Sequence, residues 1–471
     1  MINLLRWGVL LFPAALFFSY HPVISIGSSE SMNIELSLAL IYLVLFDVLA
    51  FITLVREKRF ARIFDHWKFL ILPIFVTMSV FWSSNLVRGL LTVVMMWAVY
   101  FAVMAMVVLK DEIFYKGFSK RFLKWFFGAS LVVCAWCFVQ CILDIAGVSS
   151  DCSLLCRGCV SGMFGFPHPN GFAVEPQFMG NLLLAPTIVG MVLVAACPSD
   201  SSSQAALAKS SCSAEHVATK TTPLWKYVLI FVLMATVFLT FSRGAIYAMG
   251  VAAIFLTIYE LVKMKNKHVF VLWPVMIVAF LFTLNLQGVM AEVGPTSDNY
   301  LTGVTKVLNQ LSLGVIDIKV EKPVAESPAS DVIFVNNEPM FDGYVEQSTN
   351  IRMSLTGSAL KVWKKDFSTI LFGVGVGGAG EALYAAGETG SPKEIVQNEY
   401  ASLLLEIGVV GVLLTIMLVL SILKLVVKLD NSVTILSLMV AFMVTLFFFS
   451  GLPNALHIYL MPVMLSFYKK H

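Results

Sequence analysis

Apolar residues run through this chain in blocks of roughly twenty, parted by short polar or charged stretches, which is the length pattern of membrane-crossing helices rather than of strands. Blocks long enough to cross a hydrocarbon layer begin near Leu10, Glu35, Phe69, Val87, Trp125, Phe172, Trp225, Ala245, Val269, Ala401, Val433 and Leu452. They predict about twelve transmembrane helices, several of them short, and an all-α polytopic membrane protein. The block that follows Arg6 lacks a small-residue cleavage site and runs at once into a second apolar segment, so it reads as a retained span, not a signal peptide. One long polar insertion, residues 287–398, interrupts the pattern. It divides the chain into an N-terminal bundle of about nine helices over 1–286, a large loop containing short helices over 287–398, and about three C-terminal helices over 399–471.

Composition agrees: 58% of residues are hydrophobic and 13% charged, a balance that excludes an ordinary soluble domain. The net charge of +3 gives no reason to expect nucleic acid as a partner. The placement of the charges is more informative. With the N-terminus inside, Arg56, Lys58, Arg59, Arg62 and Lys68 fall in one cytoplasmic loop and Lys110, Lys116, Lys120, Arg121 and Lys124 in the next. Lys209, Lys220 and Lys226, then Lys263, Lys265 and Lys267, then Lys424 and Lys428, and finally Lys469 and Lys470 continue the alternation. The opposite short loops hold only Arg88, Arg157 and Arg243, and the insertion is more acidic than basic. Both termini are therefore expected in the cytoplasm and the insertion outside, in the periplasm where there is an outer membrane.

Chemistry-bearing residues are sparse before residue 145. Asp47 and Asp144 are the acids there that reach membrane depth, Asp144 at the interface; for Asp47 a direct role stands against helix-to-helix hydrogen bonding. The loop of residues 147–171 carries Cys152, Cys156 and Cys159. Cys156-Arg-Gly-Cys159 lacks the strand-helix setting of a redox motif, and His168 is poorly spaced as a zinc ligand, so a disulfide that ties the loop is the expectation. Residues 198–222, rich in Ser and Ala, read as a flexible cytoplasmic linker.

Three stretches hold the candidate site. In FGFPHPNGFAVEPQF the prolines and Asn170-Gly171 make a turn before a helix whose first turns carry Glu175, Gln177 and Asn181, a capped helix entrance or a polar wall for a sugar. In FSRGAIYAMG, Arg243 sits at the exterior end between two spans with almost no loop, where a guanidinium either snorkels or meets an anion, and Gly244 permits close approach. From Asn350 to Leu413, Arg352 opens a helical run, Gly373, Gly375, Gly377 and Gly378 form a dense turn, and Gln397-Asn398 stand at the mouth of an apolar helix bearing Glu399, Glu406 and Gly408. Ser348, Thr349 and Asn350 are N-cap residue types, which would put Arg352 beside a positive helix end. Met353, Leu355, Ala359, Val362 and Trp363 recur at helical spacing, as a face that seats the helix on the membrane domain or, for Trp363, as a ring on which a sugar stacks.

Taken in order, FGFPHPNGFAVEPQF, FSRGAIYAMG, IRMSLTGSALKVWKKDFSTILFGVGVGG and QNEYASLLLEIGVVGVLL resemble the O-antigen ligase/polymerase superfamily of bacterial surface-polysaccharide enzymes, over residues 165–415. The resemblance implies a glycosyltransferase C-type membrane fold in the bacterial inner membrane. It also implies transfer of a glycan from an undecaprenyl-diphosphate carrier to a glycan or lipid acceptor on the exterior face, with other polysaccharide assembly proteins as partners. By motif, Arg243 and Arg352 correspond to the arginines that grip the diphosphate; no metal or other cofactor is implied. Ligases of the family place a histidine before the asparagine at the mouth of the following helix; here the pair is Gln397-Asn398 and the insertion contains no histidine. Glutamine orients a hydroxyl but takes no proton, which favours a polymerase and leaves Glu399, Glu175 and His168, in that order, as substitute bases. A transporter or lipid-linked-sugar flippase is the alternative for so many spans; such proteins commonly carry two related halves, and no such repeat is seen.

Overall fold

The computed structural model describes residues 1–18, 23–29, 32–115, 117–148, 160, 167–173, 175–195, 223–294, 299–312, 344–427, 432–448, 460 and 464–465. Eight helices are long and apolar enough to cross a membrane, and three shorter apolar helices, Ile2–Phe17, Leu224–Leu239 and Ser432–Thr445, run among them. The span expected from Leu452, like Cys152, Cys156 and Cys159, lies outside the described residues. Among the described residues the departure from helix is a short antiparallel hairpin, β1 Val23–Ser29 with β2 Met32–Ser37, between the first two helices.

Helices α1 Ile2–Phe17, α2 Leu38–Arg56, α3 Ile71–Ser79, α4 Leu86–Val108 and α5 Phe118–Ile145 form the N-terminal half. A 3-10 segment, Phe60–Leu70, leads into α3. Arg6 lies inside α1, and its Nε donates to the Glu112 carbonyl oxygen at 2.8 Å while its guanidinium sits 4.7 Å from the centre of the Tyr115 ring. Arg59 pairs with the Glu112 carboxylate, and Arg121 donates to the Tyr115 hydroxyl at 3.0 Å. Arg6, Arg59 and Arg121 thus gather around Glu112 and Tyr115 at one end of the bundle.

At the centre stands α6, Pro176–Ala195, of which 83% is enclosed by protein. Beyond Asn181 it is almost wholly apolar, and it carries Gly180, Ala185 and Gly190, so neighbouring backbones approach closely in the way membrane helices favour. Packed against it are α7 Leu224–Leu239, α8 Arg243–Tyr259 and α15 Ser432–Thr445. A Cβ on Gly180 would stand 2.8 Å from the Ser242 Cβ and 2.9 Å from that of Ala245. The next helix, α9 Leu272–Val293, packs on α7 and carries α10, Tyr300–Leu311, across its end.

The described part of the polar insertion is built on the bundle rather than standing apart from it. Helix α11, Tyr344–Trp363, is followed by α12 Phe367–Phe372, a glycine turn, α13 Ala379–Ala385, and then the long membrane helix α14, Glu399–Val426. Ala359 and Val362 of α11 pack with Ala379, Leu383, Val396, Ala401 and Leu405, so the apolar face of α11 seats it on α13 and α14. Gly408 (φ 61, ψ −171) kinks α14, and the kink frees the Leu405 and Glu406 carbonyl oxygens to accept from the N–H groups of Val374 at 2.8 Å and Gly375 at 2.9 Å. Only glycine takes this backbone conformation without strain.

Candidate functional site

Three elements distant in sequence meet at the end of the bundle opposite the basic cluster. Arg352, midway along α11, donates from one guanidinium nitrogen to the Gln177 side-chain oxygen at 3.1 Å and from the other to the Phe448 carbonyl oxygen at 3.3 Å. Gln177, in the first turn of α6, donates to the same Phe448 oxygen at 2.6 Å. A planar fork tied at both ends is well fixed, because two bonds in one plane leave the guanidinium little rotational freedom.

The expected N-terminal placement of Arg352 is not what forms. Its helix begins at Tyr344, so Ser348, Thr349 and Asn350 are interior residues and no helix end is aimed from them. A helix start lies instead at Arg243, the first residue of α8 after Ser242, whose hydroxyl accepts from the Ala245 N–H at 3.3 Å. Arg243 is buried, and its charge acts on the Tyr247 phenol, whose ring lies 5.5 Å from that of Phe448. A Cβ on Gly244 would stand 2.9 Å from the Phe448 Cβ, so Gly244 lets the last turn of the α15 region lie against the start of α8. Phe448 thus touches the elements carrying both arginines.

Glu175 stands just before α6. Although the residue as a whole is exposed, its carboxyl group is surrounded by protein; that enclosure raises it above its ordinary value, while the nearby Arg352 charge pulls the other way. Glu399 is buried at the start of α14, and its N–H donates to the Leu446 carbonyl oxygen at 2.9 Å, two residues before Phe448. His168 is fully enclosed, edge-on to Phe241 with ring centres 5.7 Å apart, and burial drives it down to about 3. It is therefore a neutral ring packed beneath the Ser242-Arg243-Gly244 turn and a very weak base.

The remaining expected residues divide between structural and open roles. Asn398 spends its side-chain oxygen on the Ala401 N–H at 3.2 Å, capping α14. Trp363 donates its indole N–H to the Ile370 carbonyl oxygen at 3.2 Å and packs against the α11–α13 cluster. Asn181 is 2% exposed, with neither side-chain atom hydrogen-bonded to protein, and the Gln397 side-chain oxygen is likewise enclosed without a partner. Asp144 is buried on α5 beside Cys141, and one Asp47 oxygen is enclosed in α2 without a partner.

Sequence reasoning overlooked three contributors. Phe448 acts through its carbonyl, a group every residue has, so no residue-type signal could have found it. The loop of residues 167–173 is held from below by Gln140 of α5, which donates to the Asn170 side chain at 2.9 Å and accepts from the Gly171 N–H at 2.8 Å. On the other side Gln287 of α9 donates to the Pro167 carbonyl oxygen at 3.1 Å. These clamps fix the approach to Glu175 and Gln177.

A comparison with curated proteins finds no match. The family comparison does: residues 228–416 match the family described as O-antigen ligase. The matched stretch contains Arg243, Arg352, Gln397 and Glu399, while Glu175, Gln177 and Phe448 come from outside it and close around it. Residues 228–416 thus form a domain similar to the O-antigen ligase family.

Proposed function

We propose that this protein is a membrane glycosyltransferase that moves a glycan from an undecaprenyl-diphosphate carrier to a glycan or lipid acceptor on the exterior face of the bacterial inner membrane. The observation that carries the reading is the joint placement of the Arg352 fork and the Arg243 helix start against Phe448. In the transfer, the bond between the sugar C1 and the carrier's diphosphate oxygen breaks, and an acceptor hydroxyl oxygen bonds to C1. Negative charge develops on the departing diphosphate, and fixed guanidinium groups in a water-poor site stabilise that charge more in the transition state than in the bound donor. The α8 helix start adds to the same field.

The acceptor's proton needs a base, and Glu175 is the residue best suited to take it. Its carboxyl lies close to Arg352, and enclosure raises its proton affinity toward a working range. Glu399, favoured from its place next to Gln397-Asn398, is buried at a helix start and stands as the second choice. Gln397 would orient the acceptor hydroxyl, and Gln177 and Asn181 would line the sugar site.

The reading is tested with membranes containing the protein, a lipid-diphosphate-linked oligosaccharide and an acceptor. Arg243→Ala and Arg352→Ala are expected to insert normally and to transfer glycan about a hundredfold or more slowly. Normal product length in both variants would exclude the catalytic role. Deleting the gene and running the surface glycan on a gel separates the two classes, since single repeat units on the acceptor mean a polymerase and chains left on the carrier mean a ligase; the polymerase outcome is expected.

A further inference from the structure

Helix α12 and the glycine turn after it meet the candidate membrane spans well below the start of α14. Counting about 20 residues, the length that crosses a hydrocarbon core of ~30 Å, back from Lys424 in the last turn of α14 reaches Leu404. Gly408, inside that limit, is where α12 rests: a Cβ there would stand 2.4 Å from the Leu371 carbonyl oxygen. The same count of about 20 residues back from Leu109, which caps α4 just before Lys110, reaches Gly89. A Cβ on Gly377 would meet the Gly89 nitrogen at 2.6 Å. Two spans thus place this part of the polar insertion at the edge of the hydrocarbon.

Non-helical backbone is tolerated at that depth only where protein satisfies its polar groups. Here it does so. Ser83 and Ser84 donate to the Val376 and Gly378 carbonyl oxygens, each at 2.9 Å, and the Val376 N–H donates to the Ser79 hydroxyl at 3.2 Å. The polar side chains of α12 are spent locally, since Asp366 accepts from the Thr369 N–H at 2.8 Å, the Ser368 hydroxyl at 2.7 Å and the Thr369 hydroxyl at 2.9 Å.

What remains facing outward is aromatic. Phe81 is 88% and Phe367 75% exposed, and Trp82 and Phe372, also exposed, meet edge to face with ring centres 6.3 Å apart. The Trp82 indole N–H donates to the Phe372 carbonyl oxygen at 3.4 Å, so the end of α3 and the insertion build one patch between them. Exposed Met78 and Ile74, one and two turns earlier, carry the patch down the outer surface of α3. Lys364 and Lys365, both exposed, stand just before α12. Aromatic rings beside lysines at the edge of an apolar belt are what a water–lipid boundary selects.

We propose that residues 364–372, with Phe81 and Trp82, form a foot that the insertion sets into the leaflet on its own side of the membrane. The rings enter the acyl boundary, and Lys364 and Lys365 meet the phosphates of the surrounding phospholipids. The partner is the bilayer itself, because the patch continues into the apolar outer face of a candidate membrane span. The foot does not depend on the transferase reading.

The test places the photoreactive residue p-benzoylphenylalanine at position 367 of the full-length protein, in nanodiscs of phosphatidylethanolamine and phosphatidylglycerol, and identifies the adducts by mass spectrometry after irradiation. Position 367 is largely exposed, so the larger ring displaces nothing. The same residue at position 78 serves as the reference for a lipid-facing site. The expected result is a phospholipid adduct at 367 with a yield within about threefold of that at 78. Lipid adducts at 78 with none at 367 would overturn the foot, as would adducts at 367 to a second copy of the chain, which would make the patch a dimer face. Lys364→Glu with Lys365→Glu should lower the lipid yield at 367 by about fivefold and leave that at 78 unchanged. An unchanged yield at 367 in that variant would overturn the phosphate contact.

Discussion

Arg352 and Gln177 stand 175 residues apart in sequence and meet side chain to side chain at 3.1 Å. One comes from the polar insertion and the other from the most enclosed of the candidate membrane spans, so this bond measures whether the insertion is seated. Replacing Gln177 with leucine removes a hydrogen bond to a charged group, worth roughly 1.5–3 kcal/mol. The expected outcome is a fall in transfer rate of about ten- to hundredfold with little change in the amount of inserted protein, checked by initial rates in membranes of matched expression.

Arg352 should not be replaceable by lysine. Its two nitrogens reach two different oxygens, Gln177 on one side and Phe448 on the other, and an ammonium offers no such fork. Arg352→Lys and Arg352→Ala are both expected to lower kcat by about two to three orders of magnitude, the size of effect seen when one fixed donor to a developing anion is lost. A lysine variant within threefold of wild type would show that charge alone, not geometry, is used.

Glu175 makes a prediction about pH whose two parts have opposite sign. Its carboxyl is raised above its ordinary 4.5 by burial, with Arg352 working against the rise. As a base it must be ionised, so transfer should increase as pH climbs through the raised value. The folded state prefers the neutral carboxyl, so its contribution to stability is full below the ordinary value and is lost as pH climbs through the same window. Glu175→Gln should abolish transfer and flatten that part of the stability profile, read by thermal unfolding in detergent at several pH values.

His168 should behave in the contrary way. Burial lowers it from 6.5 to about 3, so its contribution to stability is present above 6.5 and is lost as pH falls toward 3. His168→Phe, which keeps a ring against Phe241, should weaken the acid sensitivity of unfolding without removing transfer at neutral pH. Loss of transfer in that variant would make the imidazole a participant.

Gly408 and Gly373 should resist substitution. Gly408 takes φ 61, where a Cβ would stand 2.4 Å from the Leu371 carbonyl oxygen, and Gly373 takes φ 72, where it would stand 2.4 Å from the Glu406 carbonyl carbon. Alanine at either position strains the backbone, by about 1–3 kcal/mol from the conformation alone, and drives two main chains apart. Each variant is expected to unfold at a lower temperature and to expose residues 373–379 to exchange.

The apolar blocks of the sequence already specified a helical membrane protein, because hydrocarbon admits few ways of satisfying a backbone. The spacing of the basic residues gives an expectation for which loops stay inside. FSRGAIYAMG and the Arg352 stretch were legible as the pieces most burdened with chemistry. The sequence did not show that Ser348, Thr349 and Asn350 sit inside a helix, since a cap residue and an interior one differ only in what lies before them. Nor could it show that the Arg352 charge acts on the Glu175 carboxyl, since the two stand far apart in the chain.

Sequence alone therefore determined what kind of molecule this is and which residues are expensive to keep at a membrane. Tertiary structure decided which of them stand together. Helix-forming tendency and hydropathy are properties of neighbouring residues, whereas the contacts of Arg352 with Gln177 and Phe448 are made by elements far apart in the chain. Their meeting is set by glycines that let backbones touch and by carbonyl groups that carry no mark in the sequence.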